Sequence, residues 1–282
     1  MGKKILLPTD FSKYSLNAIQ YAIKLYENKD CDFYILNTYA KDTHGLDSLT
    51  LLDPDEAFNK LSEKRSKQGL GEILTRLTFE NDNPRHRFHV LSRSTLFLDA
   101  VKDIIEDMEI DILIMGAKGT TNKRMANYGK MAISVIENIR KCPVLIVPKN
   151  AIFNSNKEIV LATDFKNDFN FFDIKHLAEI AKLSNSSIQV LSLEDSDALD
   201  AEQKRNKTLL TTYFKNIDHN FTIIHNVEMN TALNCFVEIR RSNMISYINK
   251  KRTFWERMGF GKPTLDRLGY FEDVPVLAIN DK

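Results

Sequence analysis

The stretch Asp111-Ile-Leu-Ile-Met-Gly-Ala-Lys-Gly119, followed after nine residues by Gly129-Lys130, decides how this chain is read. It begins as an apolar run of strand length and breaks at Gly116. Only 10 glycines occur in 282 residues, so Gly116, Gly119 and Gly129 within one connection ask for a backbone reason. Glycine admits φ > 0 and lets a backbone approach a ligand with no Cβ in the way. A glycine-rich turn feeding a helix aims N–H groups and the positive dipole end at an anion, commonly a phosphate. The loop suggests a nucleotide.

Working outward, a chain of 282 residues accommodates two ordinary domains. A hydrophobic content of 43% with 27% charged residues describes a globular protein with real cores. Thirty-nine Lys and Arg against 38 Asp and Glu leave a net charge of +1, so no global field favours nucleic acid or an anionic membrane. The apolar runs Ile110–Met115 and Val144–Val147 are strand-sized, far short of the roughly 20 residues of a membrane span. The opening Met-Gly-Lys-Lys-Ile-Leu-Leu-Pro enters a strand directly and lacks a signal-peptide core, so a cytoplasmic location is expected. Leu6 stands where a myristoylation signal needs Ser or Thr. Cys31, Cys142 and Cys235 are widely spaced in apolar contexts and read as buried, reduced thiols.

The chain repeats itself. Ile5-Leu-Leu-Pro-Thr-Asp10-Phe11 matches Ile159-Val-Leu-Ala-Thr-Asp164-Phe165 at an offset of 154, and Pro143-Val-Leu-Ile-Val147 matches Pro275-Val-Leu-Ala-Ile279 at 132. The second half is therefore 154 − 132 = 22 residues shorter, with the shortfall assigned to the excursion at His44–Pro54. This divides the chain into domains at 1–149 and 158–282 joined by a linker at 150–157. In the first half, strands are expected at Lys4–Leu7, Phe33–Tyr39, Arg87–Leu91, Ile110–Met115 and Val144–Val147. Helices are expected at Ser15–Tyr26, Ala57–Leu77, Leu98–Met108 and Met131–Ile139, the last with Met131, Val135, Ile136 and Ile139 on one side. The second half gives strands near Glu158–Thr163, Ser187–Leu193, Phe221–His225, Met244–Ile248 and Val276–Ile279. Alternating β and α elements with near-continuous apolar strands indicate α/β architecture: two tandem doubly wound, Rossmann-like domains, each on a five-stranded, mainly parallel sheet. Such sheets bind ligands beyond the carboxyl ends of their strands, where Asp10 and the glycine loop both fall.

These residues resemble the universal stress protein family, and the arrangement is similar to a tandem member with two such domains. Nucleotide-binding members carry Gly-x2-Gly-x9-Gly followed by Ser or Thr. Gly116, Gly119 and Gly129 fit every spacing, whereas Lys130 replaces the hydroxyl residue. Pro8-Thr9-Asp10-Phe11-Ser12 resembles the end of the family's first strand, and Cys142-Pro143-Val144-Leu145-Ile146-Val147 its last. The resemblance implies an adenine nucleotide α-hydrolase-like fold and a ligand that is ATP or another adenine nucleotide, with Mg²⁺ as its companion ion and no structural metal. It also implies that Asp10 sits at the adenosine, with Pro8 and Thr9 shaping the pocket and the backbone around Thr38 meeting the base. Met115 would pack near the nucleoside. Gly116, Gly119, Gly129 and Lys130 would surround the phosphates, and Met131 would offer its N–H.

Each of these sites also has a plainer reading. Glycine after a strand is often only turn punctuation, and the family spacing is what favours binding. Lys130 cannot copy a short hydroxyl hydrogen bond. It is either a flexible ammonium beside the phosphates or a solvated lysine in a pocket that has lost its ligand. Lys118, Lys123 and Arg124 make the loop basic, which suits a polyphosphate but is common in surface loops. The second half is a control: the 132 offset puts Ile248 and Lys251 in place of Gly116 and Gly119, with only Gly261-Lys262 kept. That half is expected to be degenerate. Because it keeps Asp164, the aspartate partly serves the turn, by bonding nearby N–H groups.

His44, His86, His89, His176, His219 and His225 form no metal signature. Arg240-Arg241 and Lys250-Lys251-Arg252 read as solvated charge rather than a nucleic-acid surface. Phe254, Trp255, Met258 and Phe260 read as packing over the lost pocket, or as a protein-contact patch if exposed. No nucleophile–base–acid constellation appears, so ATP hydrolysis would be slow at most. The Ser-Gly-Gly-x-Asp-type pyrophosphate loop of adenylate-forming enzymes is missing after the first strand. The family's single-domain members are similar to dimers paired through the last strand. The two halves are accordingly expected to pair as a pseudo-dimer through Val144–Val147 and Val276–Ile279, with Thr43–Pro54 free to support a homodimer. The function this implies is a stress-response protein that binds an adenine nucleotide in its first domain and acts as a sensor or regulator through an unidentified protein partner. The alternative is a scaffold in which both pockets are degenerate.

Overall fold

The N-terminal strand shows how the apolar pattern becomes architecture. Successive side chains of a strand point to opposite faces, and in β1 (Lys3–Pro8) Ile5 and Leu7 join one buried cluster while Leu6 joins another. Both faces of the sheet are therefore covered, which is why its strands lack polar alternation. The computed structural model describes residues 2–39, 54–119, 128–166, 171–193, 199–250, 265 and 268–280. The excursion at 43–53, Lys123, Arg124, and the basic and aromatic stretch at 251–262 lie outside the described residues.

The first half runs β1, α1 (Lys13–Leu25), β2 (Cys31–Thr38), α2 (Pro54–Glu80), β3 (His86–Arg93), α3 (Phe97–Asp107), β4 (Ile112–Gly116), α4 (Lys130–Asn138) and β5 (Val144–Val147). The second runs β6 (Glu158–Ala162), α5 (Phe171–Leu183), β7 (Ser187–Ser192), α6 (Ala201–Tyr213), β8 (His219–Ile223), α7 (Met229–Cys235), a π-helical turn at Phe236–Arg240, β9 (Met244–Asn249) and β10 (Val276–Asn280). Helix starts follow local chemistry. Ser12 caps α1 by accepting from the Ser15 N–H at 3.2 Å, and Asp200 with Gln203 forms a reciprocal capping box on α6.

Among the described residues all strands lie in one ten-stranded sheet of order β3-β2-β1-β4-β5-β10-β9-β6-β7-β8. Pairing is parallel within each half and antiparallel where β5 meets β10. Their register sets Leu145 opposite Leu277 and Val144 opposite Ala278. Leu145 and Leu277 are equivalent under the 132 offset, so the strands meet with matching positions face to face. The same offsets hold inside the sheet. Ile5 pairs with Ile112 as Ile159 pairs with Met244, and Gly116 pairs with Val147 as Ile248 pairs with Ile279. One face packs α1, α2, α5 and α6, and the other packs α3, α4 and α7. The segment between β5 and β6 is anchored: Ala151 is buried, and Asn17 Nδ2 donates to the carbonyls of Pro148 and Ala151 at 2.8 and 3.0 Å.

Two sequence expectations change here. Met131 does not join the buried side of α4. It is 49% exposed, and Ala132, Val135 and Ile136 form that side, because one turn of helix separates 132 from 136. Cys31 and Cys142 are buried free thiols, whereas Cys235 is exposed at the end of α7. Two histidines serve structure: His86 is buried against the Tyr26 carbonyl, and His89 pairs with Asp32 at 2.8 Å.

Asp32 also takes Nε and Nη2 of Arg87, each at 2.7 Å. Hydrogen bonding to Arg87 is the largest influence and holds its carboxyl down at about 2. A carboxyl lowered by folding stabilises above its unfolded value near 4 and loses that contribution as pH falls through the folded value. Asp32→Asn is therefore expected to flatten the acid-side fall of the urea midpoint between about pH 4 and pH 2. An unchanged slope would contradict this.

Candidate functional site

β1 and β4 are neighbours whose chains leave in opposite directions, one through α1 on one face and the other toward α4 on the other. This is the topological switch point of a doubly wound sheet, and it leaves a crevice beyond the strand ends. A cavity of about 700 Å³ occupies it, within the range of small-molecule sites. Pro8, Thr9 and Asp10 line it from the end of β1, Thr38 from β2, Met115, Gly116 and Gly119 from β4 and its loop, and Gly129, Lys130 and Met131 from the start of α4. All ten residues singled out from sequence thus surround one space. Ser15, Asn37, Phe97 and Lys118, which were not singled out as site residues, line it too.

The β1 end is shaped by a strained turn. Phe11 has φ 64°, a left-handed conformation that is uncommon for a bulky residue and costs of order 1–3 kcal/mol. Thr9 Oγ1 accepts the Phe11 N–H at 3.0 Å and Asp10 Oδ1 accepts the Ser12 N–H at 3.1 Å. The second half repeats this turn: Phe165 has φ 56°, Thr163 Oγ1 accepts its N–H at 2.9 Å, and Asp164 Oδ1 accepts the Lys166 N–H at 3.0 Å. Thr-Asp-Phe is therefore a turn motif in both halves. Buried Asn37 holds the turn from β2, its Nδ2 donating to the Thr9 carbonyl at 2.7 Å.

The glycines act through space rather than through φ. None of Gly116, Gly119 and Gly129 is left-handed, so the positive φ expected of a glycine loop is not what requires them. A Cβ on Gly116 would stand 2.8 Å from the Tyr14 carbonyl carbon and 3.0 Å from the Ser15 nitrogen, so this glycine lets α1 start against β4. A Cβ on Gly119 would stand 2.8 Å from Oδ2 of Asp10, so the loop and the β1 turn close on each other there. Gly129 is the N-cap of α4 at φ −68°, ψ 145°, and its N–H donates to the Ala117 carbonyl at 2.8 Å.

Gly129 has no side-chain acceptor, and α4 carries no side-chain cap and no acidic residue in its first turn. The N–H groups of Lys130, Met131 and Ala132 have no intrahelical acceptor, and all three residues line the cavity. The positive end of the α4 dipole therefore faces open space. The Lys130 side chain is exposed at the rim, so replacing Ser or Thr removes a hydroxyl and leaves the backbone donors in place.

The second half carries larger side chains at the corresponding strand positions. Ile248 stands at the register position of Gly116, and Tyr247, 2% exposed, at that of Met115. Lys250 corresponds to Lys118 and lies 3.7 Å from Asp164. Gln203 Nε2 donates to the Asp164 carbonyl at 2.9 Å, and Arg140 of the first half donates to the carbonyls of Asn249 and Lys250. Gly261 and Lys262 lie outside the described residues.

The family model of the universal stress protein family matches residues 1–148. This chain belongs to the universal stress protein family. The universal stress protein MJ0577 of Methanocaldococcus jannaschii is 30% identical over 164 residues, covering 53% of this chain and 96% of its own. MJ0531 of the same organism is 28% identical over 147 residues, 52% of this chain and 82% of its own. A universal stress protein structure from Archaeoglobus fulgidus covers 98% of this chain and 96% of its own at TM-score 0.67 and 15% identity. That likeness carries the fold across both halves of this universal stress protein. Among the described residues, no helix is long and apolar enough to cross a membrane, and no three His, Cys, Asp or Glu side chains converge on a metal position.

Proposed function

We propose that this universal stress protein binds one adenine nucleotide, ATP or a close relative, in its first half and uses occupancy to regulate contacts with a protein partner. The observation that carries the reading is the uncapped start of α4, which presents N–H groups to an open cavity at the switch point. In this reading the phosphates lie on Lys130, Met131 and Ala132, with Gly119 and Gly129 lining their path. The nucleoside lies between Met115 and the β1 turn of Pro8, Thr9 and Asp10, with the base toward Thr38. Mg²⁺ stays on the phosphates.

The second half acts as a structural partner. With Ile248 and Tyr247 buried at the positions of Gly116 and Met115 and Lys250 paired to Asp164, it binds no nucleotide in the same manner. Pairing of β5 with β10 then serves as an intramolecular counterpart of a dimer interface. The proposed role is sensing rather than rapid catalysis, and the location proposed is the cytoplasm.

Denaturing freshly purified protein and identifying released small molecules by mass spectrometry tests this reading. Release of an adenine nucleotide at up to one per chain is expected. An empty protein that also fails to bind ATP at millimolar concentration would favour the scaffold alternative and overturn the proposal.

A further inference from the structure

The glycine connection of the first half rests at both described ends on an aromatic side chain of the second half. Tyr270 lies just before β10, far from the cavity in sequence. The Lys118 ammonium stands 4.6 Å from the centroid of its ring. Tyr128 meets the same ring edge-on, with centroids 5.0 Å apart and planes at 83°. The Tyr128 hydroxyl donates to the Gly269 carbonyl at 3.1 Å, and the Asn150 N–H donates to the Glu272 carbonyl at 3.3 Å. Lys118 sits between Gly116 and Gly119 and lines the cavity, and Tyr128 immediately precedes the α4 cap.

We propose that Tyr270 is a positioning residue for the first half's cavity, its ring holding the Lys118 ammonium at the rim for the polyphosphate end of a nucleotide. This rests on the reading of the cavity as a nucleotide site. A lysine on a flexible stem loses rotamer freedom when it pairs with a ligand, and a ring that already confines the ammonium through its quadrupole removes part of that cost. Burial pushes the Tyr270 phenol up to about 12, so at neutral pH the ring is uncharged. The second half thereby contributes to binding in the pocket that it does not itself possess. It is also placed to register occupancy, because ligand phosphates and the ring share one cation.

Calorimetric titration with ATP and, separately, adenosine tests the proposal on wild type, Tyr270→Phe, Tyr270→Leu, Lys118→Met and the Lys118→Met/Tyr270→Leu double variant. Tyr270→Phe keeps the π face and is expected to bind ATP within about twofold of wild type. Tyr270→Leu is expected to weaken ATP about fivefold and adenosine less than twofold. In the Lys118→Met background it should add nothing, because the lysine through which it acts is gone. If Tyr270→Leu does not fold, Tyr270→Met replaces it, as a side chain without a π face. Equal weakening of ATP in both backgrounds, or equal weakening of adenosine and ATP, would overturn the role of Tyr270 alone. Absence of ATP binding by wild type would overturn the nucleotide reading and this proposal with it.

Discussion

Gly129→Asp is expected to weaken ATP binding at least about 100-fold while leaving the protein as stable as wild type or slightly more so. Gly129 already has the extended backbone of an N-cap, φ −68° and ψ 145°, which any L-residue adopts without strain. Aspartate is a preferred N-cap because its carboxylate accepts the N–H groups of the first turn, and it exceeds glycine there by a few tenths of a kcal/mol. Those N–H groups are the ones assigned to phosphate. The new carboxylate would occupy the anion position and repel the triphosphate. Losing two charge-assisted hydrogen bonds at about 1.5–3 kcal/mol each corresponds to at least about a 100-fold loss in affinity. Adenosine, which carries no phosphate, should bind as before. A purely structural glycine would give the opposite pattern, a loss of stability with no selective loss of ATP. Titration calorimetry alongside urea denaturation separates the two.

Gly116→Ala should lower stability clearly more than Gly119→Ala. The new Cβ meets backbone, the Tyr14 carbonyl carbon at 2.8 Å and the Ser15 nitrogen at 3.0 Å, and backbone at a helix start cannot swing aside. Overpacking of a close interface costs about 1–3 kcal/mol, and the upper end is expected here. Gly119→Ala is the internal control. Its Cβ meets only the carboxylate end of Asp10 at 2.8 Å, the far end of an exposed side chain rather than backbone. It should cost less than about 1 kcal/mol. Equal urea midpoints for the two variants would contradict the assignment of Gly116 to the contact between α1 and β4.

Much of this was legible in sequence because a duplicated chain carries its own alignment. The offsets of 154 and 132 reappear as strand register, from Ile5 opposite Ile112 to Gly116 opposite Val147. Strand ends gather at one side of a parallel sheet, so Asp10, Thr38 and Gly116 were bound to meet once the order of elements was read. The reason for the glycines was not legible. Their spacing is local, whereas the neighbour that forbids a side chain at Gly116 lies on α1, 102 residues earlier at Tyr14. Lys118 and Tyr270 escaped notice as partners for a similar cause. They are 152 positions apart and meet only because β5 and β10 pair antiparallel. Asn37 was hidden by its strand, since a single buried amide leaves no periodic trace.

In the proposed function one half of this duplicated universal stress protein holds a nucleotide on the start of α4 and the other half does not. Calorimetric titration of nucleotide-free protein with ATP tests it most directly, because stoichiometry and affinity come from one curve. A single ATP per chain is expected, bound at least about tenfold more tightly than adenosine, as charge-assisted phosphate contacts require. No binding at millimolar ATP, or two equivalent sites per chain, would contradict it.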